Sequence, residues 1–585
     1  MTAMTLQNTR GTPEHDEIVR QLTAPGAMFE LENAIVNGAP VRLWKNSPVT
    51  LRNVLERSRS FGDKEFIVFG GERMSYAEHF RKCGQIARQL RKIGIGKGDR
   101  VAIAMRNLPE WSVAFWAVLS LGAIAVSINA LMTGPEMEYC ISDSGASVLF
   151  ADEDRIARLA PHLDALKLKA VVAIRCSPQT RTDIVTWQSW IDADSRDGVP
   201  DGLPEAAIGP DDGATILYTS GTTGRPKGAL GTHRAACNNL FAGRFIHALA
   251  SVQQGATAET AFDDDETRAD LVPLPFFHGA GCHGCLIGGL FAGAKLVVMP
   301  KWDAEEALRL MEKERITRFA GVPAYFVQLL AILEKAPRDL SFVRTVRWGA
   351  APPPRQLVAQ LKSHFPNAIF GTGYGQTEST QIVTQHAGED YESNPDSCGR
   401  LVPSLDVRIV DDEGKDLPVG EVGEMWMRGA TVALEYWKKP KETLETFGGG
   451  WLRTGDLMKV DRNGFYYVVD RKKDMVIRGG ENVYSIEVEQ ALRTFPKVLD
   501  VAVFGLPDPV LGEQVAAAIT VGDPADCDPK EIQKYLSGRL AAFKIPAKFA
   551  IGTEPFPRNA AGKVLKRELR ERMIKAIEAE SRVGT

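Results

Sequence analysis

The chain is short of cysteine, carries no excess of basic charge and has few long uncharged runs. Its eight cysteines are scattered over 585 residues, which gives no disulfide framework and fits reduced thiols in a cytoplasmic protein. A net charge of −4 lacks the basic surplus of a nucleic-acid-binding chain, so no nucleic acid is expected as a partner. The first 25 residues are polar and hold no apolar segment of a secretory signal. One such run, 111–128, is short for a membrane span. Gly122 divides it into a buried helix ending near Leu121 and a buried strand over 123–128, the rhythm of an α/β protein. No transmembrane span is expected, and peripheral membrane contact stays open. No Gly-x-Ser-x-Gly occurs, so an esterase elbow has no support. The pair Cys282 and Cys285, with His278 and His283 nearby, has no second pair to complete the about four ligands of a zinc site. Gly279 to Gly284 fits GxGxxG by letter but lacks a clean preceding strand.

Composition is ordinary for a globular protein, 44% apolar and 25% charged, and the length suffices for several domains. Strand-like apolar runs at 101–105, 123–128, 148–150, 171–174, 215–218 and 296–299 alternate with helical patterns such as 76–93 and 304–313. That alternation predicts parallel sheets covered by helices. Residues 1–48 read as an N-terminal extension with a helical stretch and a loose link, and the polar, acidic stretch 251–270 as a surface loop. From about 402 short strands separated by Asp/Gly turns predict a β-rich subdomain within a domain spanning 49–470. Residues 471–585 then read as a compact α+β domain, with helices at 485–492 and 529–540 and strands at 498–506 and 515–521. The fold class is α/β: a large N-terminal domain of helix-covered, mostly parallel sheets with a small β-rich subdomain, hinged to a small α+β C-terminal domain.

The chemically richest segment is Tyr218-Thr-Ser-Gly-Thr-Thr-Gly-Arg-Pro-Lys-Gly228. Four Ser/Thr hydroxyls, three glycines and a lysine in eleven residues suit phosphate: bare backbone approaches closely, N–H groups and hydroxyls donate, and Lys227 adds charge. An apolar run leads in and a helix pattern over 233–240 follows, which predicts strand, glycine-rich loop, helix. It is not a Walker A loop, because Pro226 precedes Lys227 and Gly228 follows it.

The run Ser220, Gly221, Thr222, Thr223, Gly224, Arg225, Pro226, Lys227, Gly228 resembles the signature loop of the AMP-forming adenylating superfamily, which includes acyl-CoA synthetases, peptide-synthetase adenylation domains and beetle luciferases. Seven further segments resemble that family in order, from about residue 70 to 570. Leu274-Pro-Phe-Phe-His278-Gly would line the carboxylate-substrate pocket, with Gly349, Gly373 and Gly375 bordering it. The resemblance places Gly349, Ala350, Ala351 and Pro352 against adenine. In Gly373-Tyr374-Gly375-Gln376-Thr377-Glu378, it implies that Tyr374 stacks on adenine, Thr377 contacts the α-phosphate and Glu378 holds Mg²⁺, with Thr219 and Lys227 also at the nucleotide. Asp456, from Trp451-Leu-Arg-Thr-Gly-Asp456, would take the ribose with Arg471, and Lys473 would be the interdomain pivot. Gly479, Gly480 and Glu481 would line the thiol tunnel. Lys563, closing Pro557-Arg-Asn-Ala-Ala-Gly-Lys563, matches the family's catalytic lysine, and Asn559 stands where members often have Thr or Ser.

The implied reaction uses ATP, Mg²⁺ and CoA. A carboxylate attacks the α-phosphate, acyl-AMP forms as pyrophosphate leaves, and a thiol then takes the acyl group. The resemblance also implies that the C-terminal domain swings about Lys473 between the two steps. Acetate-specific relatives carry Trp where this chain has Gly375, so an acid larger than propionate is expected: a medium- or long-chain fatty acid or another bulky apolar acid. Aryl acids stay open. So do a carrier-protein thiol acceptor in trans, a luciferase-like oxygenase and a non-catalytic acyl- or nucleotide-binding relative. The Lys563 motif also resembles sites that bacterial acetyltransferases silence.

Overall fold

The computed structural model describes residues 11–177, 184–193, 202–219, 225–261, 267–349, 353, 355–524, 527–558 and 563–583. The chain divides into two compact units. The first comprises Met1–Val407, Met427–Leu452 and Asn463–Phe465, and the second Arg408–Trp426, Arg453–Arg462 and Tyr466–Thr585.

Two sheets organise the large unit. In the first, strands run in the order Glu435–Tyr436, Lys227–Thr232, Gly213–Thr219, Ile124–Ser127, Arg100–Ala104, Val148–Asp152, Ala170–Ile174 and Ile184–Thr186. All pairings from Gly213–Thr219 onward are parallel, and the strands are buried on both faces, as crossover helices require. In the second, the parallel core is Ile369–Tyr374, Thr345–Trp348, Arg318–Gly321, Ala269–Val272, Lys295–Val298 and Glu65–Phe69. One face of that core packs on the helices Ala304–Glu314, Pro323–Leu333 and Arg355–His364 through Leu271, Phe319, Val346, Trp348 and Phe370.

The uncharged run folds as its glycine dictates. Helix Pro109–Ser120 is almost wholly buried, Gly122 turns the chain at φ +71°, and Ile124–Ser127 enters the sheet. Arg52 donates to the Ser120 carbonyl at 2.7 Å, which satisfies one of the orphan acceptors at the helix end. Among the described residues no helix is long and apolar enough to cross a membrane.

Three local expectations need correction. The segment taken as a loose extension is packed into the large unit: after helix Pro13–Leu22, strands Leu31–Val36 and Ala39–Trp44 form a hairpin. Trp44, 1% exposed, stacks on Phe245 at 5.3 Å and meets Phe29 edge-on at 5.9 Å. The acidic stretch begins inside helix His233–Gln253 and ends in the buried strand Ala269–Val272. Finally, the glycine-rich loop is followed by a strand, Lys227–Thr232, before the helix starts at His233. It is therefore a hairpin connection, and the helix N-terminus lies six residues beyond Lys227.

The β-rich stretch is shared between the units. Its strands lie in the order Asp406–Val410, Gly423–Arg428, Leu452–Val460 and Phe465–Arg471, and most of their length belongs to the small unit. There the long hairpin Val498–Asp508 and Gly512–Val521, with Lys548–Gly552 added in parallel, packs on helices Ser485–Arg493 and Pro529–Ser537. Asp470, 1% exposed, accepts from both the backbone N–H and the hydroxyl of Ser485. Lys566 bonds that hydroxyl and pairs with Glu489, each at 2.7 Å. Burial raises the Asp470 carboxyl above its usual range, and Lys566 and these N–H donors pull it back.

Replacing Trp44 with alanine tests whether the N-terminal hairpin belongs to the body of the large unit. A cost of about 3–5 kcal/mol and a clear fall in its thermal midpoint are expected. An unchanged midpoint would return residues 13–48 to the status of an appendage.

Candidate functional site

In the large unit the expected nucleotide residues gather where the two sheets end. Strands Gly213–Thr219 and Lys227–Thr232 pair so that Thr219 faces Lys227, and the Thr219 hydroxyl donates to the Lys227 carbonyl at 3.3 Å. This closes the glycine-rich loop at its base. Ser220, Gly221, Thr222, Thr223 and Gly224, expected at the phosphates, lie outside the described residues. Tyr218 anchors the incoming strand by donating to Asp143 at 2.8 Å. Burial and that carboxylate push its phenol far up, so it stays neutral.

A residue that sequence reasoning missed, Tyr436, links the loop to Glu378. It sits opposite Ala229 on the sheet edge, and Lys227 Nζ stands 5.1 Å from its ring centroid, within cation–π range. Its hydroxyl donates to Glu378 Oε1 at 2.6 Å. Glu378 is 8% exposed and lies in the 3₁₀ turn Thr377–Ser379, just past the strand Ile369–Tyr374. Its backbone carbonyl accepts from Ala433 N at 2.8 Å. Among the described residues nothing donates to the second carboxylate oxygen. A buried carboxylate with one hard oxygen left for a ligand fits a magnesium ion.

Tyr374 and Thr377 flank this point, both half-buried. Beyond them the chain turns through two non-glycine residues of positive φ, Thr380 at +53° and Gln381 at +94°. That turn brings the Gln381 carbonyl so close to Gly375 that a Cβ there would sit 1.1 Å from the oxygen. Glycine at 375 is thus imposed by the backbone behind it, and the inference of a long pocket from its lack of a side chain loses its footing. Gly349 faces open space, whereas Ala350, Ala351 and Pro352 fall outside the described residues.

His278 is half-buried, its ring 4.9 Å from that of Phe277. Buried Asn107, another residue missed by sequence reasoning, clamps this segment: it donates to the Leu274 carbonyl at 2.9 Å and accepts from Phe276 N at 2.8 Å. The glycines after His278 enter a π-helix, Ala280–Ile287, and a Cβ on Gly281 would meet the Pro275 carbonyl at 2.1 Å. Their spacing therefore serves packing. Burial pushes the Cys285 thiol up to about 12.

The small unit holds the remaining expected residues. Asp456 and Arg471 face each other across a β-ladder, Nε to Oδ1 3.4 Å. Asp456 is almost fully buried, and Lys472 N donates to the Gly455 carbonyl at 2.9 Å beside it. Lys473 is exposed on the turn that follows. Gly479 (φ +60°) and Gly480 (φ +87°) form the two-residue turn between Val476–Arg478 and Glu481–Val483, a turn of the type that favours glycine at both positions. Glu481 and Gly480 are exposed. Lys563 is exposed beside the Arg558–Val564 bridge, where Leu565 N donates to the Pro557 carbonyl at 2.8 Å. Asn559 lies outside the described residues.

A family model described as AMP-binding enzyme matches residues 54–437, and one described as AMP-binding enzyme C-terminal domain matches 487–563. The chain is 37% identical over 504 residues to a long-chain-fatty-acid–CoA ligase, FadD13, of Mycobacterium tuberculosis, covering 85% of this chain and 93% of that one. It is 33% identical over 520 residues to a feruloyl-CoA synthase of Amycolatopsis, covering 88% and 98%. Among solved structures, the anthranilate CoA ligase AuaEII in complex with anthranoyl-AMP superposes with a TM-score of 0.79 at 27% identity, covering 91% of this chain and 99% of that one.

Tyr436→Phe removes the donor to a buried carboxylate. A stability loss of about 1.5–3 kcal/mol is expected, together with a higher Mg²⁺ concentration for half-maximal nucleotide binding. Unchanged values of both in denaturation and Mg²⁺ titration would show that Glu378 is held by other contacts.

Proposed function

Because the chain belongs to the AMP-binding enzyme family and is an AMP-forming acid–CoA ligase using ATP, Mg²⁺ and CoA, we propose that it activates an acid with an extended body, of medium to long chain, and transfers it to CoA. One observation carries the catalytic part: Lys227, Tyr436, Glu378, Thr377 and Tyr374 converge where the two sheets of the large unit end. Support for the extended acid comes from the similarity to a long-chain-fatty-acid–CoA ligase; Gly371 and Gly373, like Gly375, are imposed by packing, since a Cβ on either would meet a carbonyl of the next strand at 2.7 Å.

The difficulty of the first step is electrostatic, since a carboxylate must approach the α-phosphate of a polyanion. In our reading Lys227 and the loop's N–H groups offset that charge, and Thr377 donates to the α-phosphate. Tyr374 presents its ring to adenine. Glu378, oriented by Tyr436, would hold Mg²⁺, which supplies charge neutralisation at the phosphates. Asp456 is the acceptor for the ribose hydroxyls, with Arg471 beside it across the ladder. Lys563 brings positive charge to the attacking carboxylate, and the bond from α-phosphorus to pyrophosphate breaks as the acyl–phosphate bond forms. In the thioester step the CoA sulfur attacks the acyl carbon and AMP leaves. Gly479 and Gly480 leave room for the pantetheine arm, and Lys473 is the pivot between the two steps. An acetyl group on Lys563 would remove the charge that the first step needs and no charge from the second.

The relatives named above act on fatty and aryl acids alike, so an aryl acid is the second reading. AMP and acyl-CoA formation should be followed with acetate through stearate, benzoate and coumarate. The highest kcat/KM is expected among acids longer than propionate; a clear preference for benzoate or coumarate would establish the aryl reading instead. Lys563→Ala should abolish AMP formation from acid and ATP yet retain thioester formation from supplied acyl-AMP. Equal loss of both half-reactions would refute that assignment.

A further inference from the structure

The second sheet of the large unit carries a concentration of positive charge on the face turned away from its apolar core. Its register sets Asp270 beside Arg318, Arg318 beside Thr345 and Arg347 beside Gly371. Side chains alternate along a strand. Leu271, Phe319, Val346 and Phe370 fill the core on one side, so Asp270, Arg318, Arg347, Gly371 and Gly373 share the other. His247, on helix His233–Gln253, feels Arg318, Arg347, Arg268 and Arg244 together, and with burial they push its imidazole down to about 3.

Among the described residues the charges on this face do not balance. Asp270 is engaged by Arg268, which donates from Nε at 3.0 Å and from Nη2 at 2.7 Å. Neither Arg318 nor Arg347 has a hydrogen bond or ion pair with any described residue, and Arg347 Nε is a buried donor with no acceptor. Burial and the neighbouring arginines depress both guanidiniums, Arg318 to about 9 and Arg347 to about 10. A buried charge without a partner is costly, and a fold gains nothing by keeping two. Both side chains are nonetheless surrounded by protein while retaining some accessible surface. Groups that line a cavity behave in that way, and closely packed groups do not.

The two arginines stand on the sheet whose strand Ile369–Tyr374 ends at the reaction site. Gly373 immediately precedes Tyr374, and Arg347 stands beside Gly371, one strand over and about 10 Å back along the sheet from Tyr374. Between them Gly371 and Gly373 add no side chain, the next strand standing where each Cβ would lie. We propose that Arg347 and Arg318 form an anion subsite for a second carboxylate, at the far end of the acid being activated. The favoured substrates are then dianionic: one carboxylate reacts at the nucleotide while the other, some ten ångströms away by the same strand spacing, neutralises the arginines. This rests on the ligase reading and narrows its substrate class from a simple apolar acid to one with an apolar middle and two charged ends.

The test compares straight-chain monoacids and α,ω-diacids of matched length, hexanoate through dodecanoate against hexanedioate through dodecanedioate, by initial rates of AMP formation. At the best length the wild-type enzyme should prefer the diacid at least tenfold in kcat/KM. Arg347→Met should lower the diacid-to-monoacid ratio at least tenfold and raise the thermal midpoint without ligand, since an unbalanced charge is removed. A wild-type preference for monoacids at every length would overturn the proposal and leave the ligase reading standing. If no acid yields AMP, the ligase reading fails, and thermal shift of the unmodified protein decides the subsite alone. Greater stabilisation by decanedioate than by decanoate would support it, and equal shifts would overturn it.

Discussion

Two sheets of the large unit are tied at their ends by one short hydrogen bond, from the Tyr436 hydroxyl to Glu378 Oε1 at 2.6 Å. Tyr436 belongs to the edge of the first sheet, where it pairs with the strand that carries Lys227. Glu378 follows the strand of the second sheet that ends in Tyr374. The Ala433 N–H on the Glu378 carbonyl, at 2.8 Å, holds the same seam. Because all of these groups are short-range and directional, a shift of one sheet against the other would break them together. The glycine-rich loop, the adenine aromatic and the carboxylate can act on one nucleotide only while that seam holds. Chemistry that depends on placing a phosphate and a carboxylate in line needs a frame of this stiffness.

Buried charge is treated in two opposite ways. In the small unit Asp470, Ser485, Lys566 and Glu489 satisfy one another, and Glu489 also accepts from Val503 N at 3.0 Å. Every member has a partner, so the network pins the first helix of that unit to its sheet and has nothing left for a ligand. On the second sheet of the large unit Arg268 and Asp270 are matched in the same manner, but Arg318 and Arg347 are not. The contrast within one chain gives the unmatched pair its meaning.

Much of the chain could be read without coordinates. The phosphate loop, the Tyr374 to Glu378 run, Asp456, Arg471 and Lys563 are contiguous motifs whose chemistry is written in residue type. The parallel strands are continuous apolar runs, and Gly122 ends its helix through a backbone angle that glycine adopts freely. Less legible were the pieces whose structure depends on distant partners. Residues 31–44 alternate weakly and become a hairpin because Trp44 and Phe29 find Phe241 and Phe245, some 200 residues on. Lys227–Thr232 is rich in glycine and small residues, a poor strand by propensity, yet it pairs on both sides. Tertiary pairing overrode propensity there.

The same division holds for function. Residue types in order were enough to specify the adenylating chemistry, since a hydroxyl, a carboxylate or a lysine acts by what it is. The substrate pocket was not readable in that way. Gly375 looked like a vacancy in the acid's path, but the Gln381 backbone stands behind it. Arg318, Arg347 and Tyr436 belong to no motif that the sequence displays. Their roles arise from sheet register and strand alternation, which bring residues far apart in sequence onto one face. Only the folded chain decides which of them share a cavity and which charges are left unmatched.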